Sequence, residues 1–381
     1  MAVGKVNDVA GDNIGKVKDV AAASIGKLSD VAASLGAASY SIVWLAVGDD
    51  GRGATSTDGQ NWTEGQIGHS NSTDHRDVAF GNTGSYDEGC WVIAKGSNTM
   101  EALWTFNKTP IVATNSSASW ESENFAGSRG ARAVVYDEYN TRFLWGAKGL
   151  SGAKTIPTAS MAELASTSHR LMDSASYSDY SDGSSNYGNF YQGNMASDGA
   201  GNIMVGIKDD DVILGQYDGH AYNWVTVSGS NFLGTNQNLQ AIAHGNGVWI
   251  VAGEGGKMKR TPDGGTWSDI ATPSSNQVNS IAFGGAGDST ANVWMSVGGS
   301  GQIDRSTDQG VTWTELNKEH SIQLNAIASD GSGSWVAVGN SGKFGYSGDD
   351  GATWSWATAS AGTGINWQSV AINRMLPHDA G

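Results

Sequence analysis

Among the residues able to do chemistry, the densest carboxylate run is Asp209-Asp210-Asp211, a ligand set suited to a hard cation such as Ca²⁺. It lacks the interspersed glycine and the distal glutamate of a calcium loop, and reads as a solvated acidic turn. The seven histidines show no His-x-x-x-His spacing of the kind that seats zinc on one helix face. The single cysteine, Cys90, sits in the apolar stretch Gly89-Cys90-Trp91-Val92, where a thiol serves as a small hydrophobe and has no in-chain disulfide partner. No nucleophile motif, phosphate loop or cofactor fingerprint occurs. The sequence therefore predicts no catalytic residue, no metal ligand and no cofactor. Recognition chemistry is found in one place, a non-repetitive insertion at about 155–193. There Tyr177, Tyr180, Tyr187, Phe190 and Tyr191 are spaced among Ser, Gly, Asn and Asp, the composition of adaptable binding loops. Those rings and polar groups suit a sugar face with its hydroxyls; a long disordered loop with incidental aromatics has the same composition.

Elements able to position such residues must accommodate 54 Gly and 15 Trp with only 5 Pro in 381 residues. Many short strands joined by tight turns satisfy both the glycine and the tryptophan content. Net charge is −16 with a sequence pI near 4.7, and no basic cluster stands out, which argues against nucleic acid and anionic membrane partners. No window approaches 18 uninterrupted apolar residues, so no membrane insertion is expected. The start, Met1-Ala2-Val3-Gly4-Lys5, has no apolar run of signal-peptide length.

Two repeats organise the chain. Val3-Gly4-Lys5-Val6-Asn7-Asp8-Val9-Ala10 returns at Ile14 and again at Ile25, an 11-residue period. Val3, Val6, Ile14, Val17, Ile25 and Leu28 fall on one helical stripe, whose period favours a right-handed supercoil. Gly4, Gly15 and Gly26 each cost about 1 kcal/mol relative to Ala in a helix. The segment 1–38 therefore reads as an arm ordered by partner chains or a docking surface, or else as a low-complexity tail.

The second repeat fills 39–381. Leu239-Gln240-Ala241-Ile242-Ala243, Val278-Asn279-Ser280-Ile281-Ala282 and Leu324-Asn325-Ala326-Ile327-Ala328 each precede a Trp-led apolar strand, then a turn of the form Ser/Thr-x-Asp-x-Gly-x-Thr-Trp. Full-length turns lie at 306–313 (Asp308, Trp313) and 347–354 (Asp349, Trp354). Turns one residue shorter lie at 56–62 (Asp58, Trp62) and 261–267 (Asp263, Trp267). The Asp and Ser side chains are suited to cap nearby amides, and Gly to supply the left-handed conformation. Four strands per roughly 40 residues is the pitch of a propeller blade. First strands are expected near Asp77, Arg132, Asn194, Leu239, Val278, Leu324 and Trp367. The last has no followers, while Trp44-Leu45-Ala46-Val47-Gly48 has no first strand, so the two ends are expected to share one sheet. The fold class is thus all-β, a seven-bladed β-propeller closed by pairing of N- and C-terminal strands and preceded by a short, helical 11-residue-repeat arm. Blades within 75–235 are degenerate; Tyr217-Asp218-Gly219 reads as a decayed turn.

The four turns resemble the Asp-boxes of BNR-repeat proteins. That group includes sialidases, but none of the nine arginines sits in an Arg-Ile-Pro motif, and Asp-boxes in that family mark the fold and not the active site. The 11-residue repeats followed by a Trp-rich Asp-box propeller resemble bacteriophage virion proteins, tail-fibre-like or otherwise appended to the particle. The resemblance implies localisation in the virion, with 1–38 docking to other virion proteins and the propeller displayed toward a host surface glycan or receptor, or another virion subunit. A hendecad stripe too thin to bury itself favours a homo-oligomer. A cellular scaffold resembling the photosystem II assembly factors is the alternative; a sialidase-type glycoside hydrolase ranks below both.

Overall fold

The computed structural model describes residues 42–68, 73–82, 89–96, 100–106, 120–125, 128–149, 154–160, 164, 177–180, 194–207, 211–228, 232–234, 237–284, 292–316, 319–359 and 364–373. The chain divides into two units, Met1–Ser41 and Ile42–Gly381. The first, with the arm residues Val3, Val6, Ile14, Val17, Ile25 and Leu28, lies outside the described residues.

The second unit is an all-β propeller of four-stranded antiparallel sheets, seven in number among the described residues. Sheet 1 holds Asp74–Gly81, Cys90–Gly96, Met100–Thr105 and Glu121–Phe125, and sheet 2 Ser128–Asp137, Arg142–Gly149, Lys154–Ser160 and Tyr177–Tyr180. Sheet 3 holds Met195–Ser197, Asn202–Ile207, Asp211–Tyr217 and Tyr222–Thr226, and sheet 4 Leu239–Gly245, Val248–Gly253, Met258–Thr261 and Ser268–Ile270. Sheet 5 holds Val278–Phe283, Trp294–Gly298, Ile303–Ser306 and Thr314–Glu315, and sheet 6 Leu324–Ser329, Trp335–Gly339, Lys343–Ser347 and Ser355–Thr358. Sheet 7 draws on both ends: Trp367–Ile372 pairs with Trp44–Gly48, followed by Arg52–Ser56 and Thr63–Gln66. Its register sets Trp44 opposite Ile372, Ala46 opposite Val370 and Val47 opposite Ser369. The first strand of each sheet packs against the first strand of the next, from sheet 1 round to sheet 7 and back. Closure removes the free edge that an open array would leave on its first and last sheets.

The core lies between neighbouring sheets. The second strands supply Trp44, Trp91, Trp145, Trp294 and Trp335, all fully buried. Glycines at first-strand ends make room for the next sheet's rings. A Cβ on Gly81 would lie 2.3 Å from Tyr136, one on Gly245 2.2 Å from Phe283, and one on Gly284 2.1 Å from Trp335. Each of those rings belongs to the following sheet, so the glycine content serves interlocking as much as turning.

The stretch expected as an insertion at about 155–193 contains regular strand where it is described. It begins inside a regular third strand, Lys154–Ser160, and contains the fourth, Tyr177–Tyr180, with Lys154 opposite Tyr180 and Pro157 opposite Tyr177. Strand pairing claims Tyr177 and Tyr180 because the third strand otherwise has an open hydrogen-bonding edge. Tyr187, Phe190 and Tyr191 lie outside the described residues.

Candidate functional site at the propeller axis

The Asp-box residues form four repeated turns between third and fourth strands. Asp58 accepts from the amides of Gln60 (2.8 Å) and Asn61 (2.7 Å), and Ser56 Oγ donates to it at 3.0 Å. Asp263 accepts from Gly265 N (2.8 Å), Thr266 N (2.7 Å) and Thr261 Oγ1 (2.7 Å). Asp308 accepts from Val311 N (3.1 Å), Thr312 N (2.9 Å) and Ser306 Oγ (2.8 Å), and Asp349 from Thr353 N and Ser347 Oγ, both at 2.8 Å. Partial burial works against ionisation of Asp58, but the amide and side chain of Asn61 outweigh it and hold the carboxyl at about 2. Asp263 is likewise held low, chiefly by Thr266 N. The extra residue of the long turns is Gln309 or Asp350, each left-handed (φ 61° and 57°), inserted before the turn glycine without loss of the Asp bonds.

Trp62, Trp313 and Trp354 donate Nε1 to the turn glycine's carbonyl at 3.0, 3.0 and 3.2 Å. Trp267 departs from this pattern: it reaches Val227 O of sheet 3 at 3.0 Å and meets Phe232 edge-on. Each turn glycine presses on the preceding sheet. A Cβ on Gly59 would lie 2.8 Å from Tyr346, on Gly264 3.1 Å from Leu214, on Gly310 2.2 Å from Ile250 and on Gly351 2.6 Å from Met295. The turns are thus wedges between sheets. The decayed copy at Asp218 still caps His220 N (2.9 Å) and Ala221 N (3.0 Å). These residues do not converge on one another.

A site does form at the other face, where the first strands begin. In six sheets the first strand carries a β-bulge near its start. The register skips Arg76 between His75 and Asp77, and Arg132 between Ala131 and Ala133. It skips Gln240, Asn279 and Asn325 in sheets 4 to 6, and Gln368 in sheet 7. In sheets 4 to 6 the bulge has a visible cause in the second strand's terminal glycine. A Cβ on Gly253, Gly298 or Gly339 would lie 2.0–2.3 Å from the carbonyl oxygen of Asn238, Gln277 or Gln323. Close approach there leaves the first strand one residue long, and a bulge re-aims that extra side chain. The six bulge residues, with Gln277 and Gln323, line one cavity of about 150 Å³ where the first strands converge.

Hydrogen bonds pass the ring from sheet to sheet. Asn194 Nδ2 donates to Leu239 O (3.2 Å), Asn279 Nδ2 to Leu324 O (2.7 Å) and Asn325 Nδ2 to Trp367 O (2.8 Å). Each acceptor immediately precedes the next sheet's bulge residue. Gln277 Nε2 and Gln323 Nε2 orient Asn279 and Asn325 by donating to their Oδ1 atoms at 2.7 and 2.9 Å. Asp49 Oδ1 accepts from Gln368 Nε2 at 2.8 Å, and Asp74 Oδ2 bridges Arg76 Nη2.

Behind the lining, Asp77 is buried and ties three sheets together. It accepts from Val78 N (3.0 Å), from Val134 N of sheet 2 (2.9 Å) and from Ser369 Oγ of sheet 7 (2.7 Å). Burial pushes its carboxyl up to about 6, against the pull of those three donors. His75, two residues earlier and also buried, is pushed down to about 4 by burial and then by the Lys95 charge. Cys90 is buried, and its thiol is pushed up by that burial. Among the described residues no three His, Cys, Asp or Glu side chains gather as metal ligands. Of the acidic run, Asp211 opens the third strand of sheet 3; Asp209 and Asp210 lie outside the described residues.

No known family model matches the chain, and no curated protein matches it in sequence. Solved structures match its fold. The WD40 β-propeller domain of Doa1 aligns with a TM-score of 0.53 at 12% identity, covering 80% of this chain and 86% of that one. YCF48 bound to a D1 peptide aligns at 0.49 and 14% identity, covering 74% and 80%. YCF48 from Cyanidioschyzon merolae aligns at 0.49 and 10%, covering 74% and 84%. At such identities the likeness shows a β-propeller and nothing of the activity.

The axial ring is absent from the expected site residues. Its signal was present as Gln240-Ala241-Ile242, Asn279-Ser280-Ile281, Asn325-Ala326-Ile327 and Gln368-Ser369-Val370, a carboxamide two residues before a β-branched apolar residue of the inner strand. Without the bulge, strand alternation places those side chains on a sheet face and not toward the axis.

Proposed function

We propose that this protein is a non-catalytic recognition propeller that binds an extended peptide segment of a protein partner at its axial mouth. The observation that carries the reading is the composition of that mouth. Six of its eight lining residues are carboxamides, two are arginines, and none is a carboxylate, histidine, serine or cysteine. Such a lining offers paired donors and acceptors but no nucleophile and no general acid or base. A carboxamide presents the same donor–acceptor pair as a peptide bond, so an extended main chain matches it group for group. No lining residue is aromatic, which counts against a sugar face as occupant. The test is a random-decapeptide array probed with the full chain and with Gln240→Trp, which fills the mouth. Binding by the unmodified chain that the variant loses supports the reading; no peptide bound, or equal binding by the variant, overturns it.

The finer setting we favour is a scaffold, in which the propeller holds a partner's segment during assembly. A phage virion component is the second reading, supported by the 11-residue repeats at 3–32. It predicts the polypeptide in purified particles, with 1–38 as the docking arm. Its absence from them by mass spectrometry would end that reading and leave peptide recognition standing.

A further inference from the structure

The mouth is not symmetric. Its two cations, Arg76 and Arg132, occupy the bulges of adjacent sheets 1 and 2, while the carboxamides Gln240, Gln277, Asn279, Gln323, Asn325 and Gln368 fill sheets 4 to 7. This cationic sector belongs to a chain with 38 acidic and 22 basic residues and a net charge of −16. Against that excess of acid both charged lining residues are cations, and the neighbouring carboxylates Asp49 and Asp74 are engaged with the lining side chains Gln368 and Arg76.

We infer that the mouth selects peptides bearing a carboxylate, which docks on the Arg76–Arg132 sector while the adjoining main chain lies across the carboxamide sector. The inference rests on the peptide-recognition reading and adds its specificity. A guanidinium presents five N–H donors in a planar fork that matches a carboxylate edge to edge. The bridge from Arg76 Nη2 to Asp74 holds that guanidinium in place, and a planar fork engaged through Nη2 has further edges for a second acceptor. Three carboxylates stand close to the mouth, each tied to protein donors. Asp74 holds Arg76, Asp49 holds Gln368 and Asn366, and Asp77 lies beneath with Val78, Val134 and Ser369 donating to it. On the opposite wall Gln277→Asn279 and Gln323→Asn325 are ordered pairs, so the carboxamide groups are oriented before a ligand arrives. Pre-orientation of this kind lowers the entropy lost on binding. Cationic and amide walls facing each other also fix the polarity of a bound chain, with its acid at sheets 1 and 2.

The experiment uses the full chain and the tightest decapeptide from the random array, made with a fluorescein label. A second version has each Asp or Glu changed to Asn or Gln and the C-terminal carboxylate converted to carboxamide. Fluorescence anisotropy at low and moderate salt gives both affinities. The neutral version is expected to bind at least about tenfold more weakly, with the gap narrowing as salt rises. In Arg76→Gln/Arg132→Gln the two versions should bind alike. Arg132→Lys keeps the charge but not the fork, and should show an intermediate gap; it also serves if the double variant does not fold. Equal affinity of the acidic and neutral peptides for the unmodified chain overturns the inference while peptide recognition stands. So does a gap that survives both arginine changes. No peptide bound at all, or tight binding of a sialylated or uronate glycan in its place, overturns the recognition reading itself.

Discussion

Replacing Asp77 with asparagine should change how stability depends on pH, by an amount set by the structure. Asp77 is buried where sheets 1, 2 and 7 meet, and its carboxyl stands at about 6 against 3.8 in the unfolded chain. A pKa raised on folding means the native state binds the proton more tightly. The associated stability is therefore complete below pH 3.8 and is lost as pH rises through 6. A shift of about two units corresponds to about 3 kcal/mol. His75 works with the opposite sign in an overlapping window. Its pKa falls from 6.5 to about 4, so its contribution is present above 6.5 and is lost as pH falls through 4. The two slopes oppose each other in the unmodified protein, which should look nearly flat between pH 4 and 6.5. In Asp77→Asn the new carboxamide can still accept from Val134 N and donate to Ser369 Oγ; the Val78 N–H loses its acceptor, a cost that does not vary with pH and leaves the pH-dependent difference readable. Urea unfolding of both proteins across pH 4 to 7.5 gives the difference directly. The Asp77→Asn variant should gain about 3 kcal/mol on the unmodified protein between the two ends of that range, and the His75 slope should emerge in the variant alone. A stability difference independent of pH would refute the argument that Asp77 carries a buried charge at neutral pH.

Three further outcomes follow from the packing. Gly310→Ala forces a Cβ to 2.2 Å from Ile250 at φ +75°, whereas Gly247→Ala at φ +69° meets nothing within 4 Å. Both carry the left-handed cost of about 1–2 kcal/mol, and Gly310→Ala should lose about 1–3 kcal/mol more in urea unfolding; equal losses would refute the wedge role of the turn. Asp308→Ala frees the amides of Val311 and Thr312 and should cost about 1–2 kcal/mol, since those amides are solvent-accessible; an unchanged unfolding midpoint would contradict the capping role. Deleting 367–381 removes the strand paired with Trp44–Gly48 and bares the second strand of sheet 7, so the truncated protein should aggregate or unfold. A soluble truncated monomer with unchanged near-ultraviolet circular dichroism would contradict closure.

Much of the fold was legible because its determinants are local and periodic. The expected first-strand starts at Leu239, Val278, Leu324 and Trp367 coincide with the observed ones, since each begins an alternating apolar run after a polar turn. Pairing of Trp367–Ile372 with Trp44–Gly48 followed from each end lacking what the other had. Within the Tyr-rich stretch, period and composition at Tyr177–Tyr180 do not distinguish a loop from a short edge strand. What decides is the third strand Lys154–Ser160, whose free edge needs a partner. The axial ring was missed for a different reason. Gln240, Asn279, Asn325 and Gln368 face the axis only because a bulge breaks the alternation. The bulge depends on a glycine in the neighbouring strand, Gly253 opposite Leu239 and Gly298 opposite Val278. Which glycine meets which strand start is set by sheet register, and neither composition nor period encodes it.

Photo-crosslinking locates the partner site most directly. The tightest array decapeptide, carrying a central benzophenone, is irradiated with the full chain and the adducts are mapped by mass spectrometry. Adducts are predicted within 238–241, 277–280, 323–326 and 366–369, the starts of the inner strands. Adducts concentrated on the turns at 56–62, 261–267, 306–313 or 347–354, on the opposite face, would contradict recognition at the axial mouth.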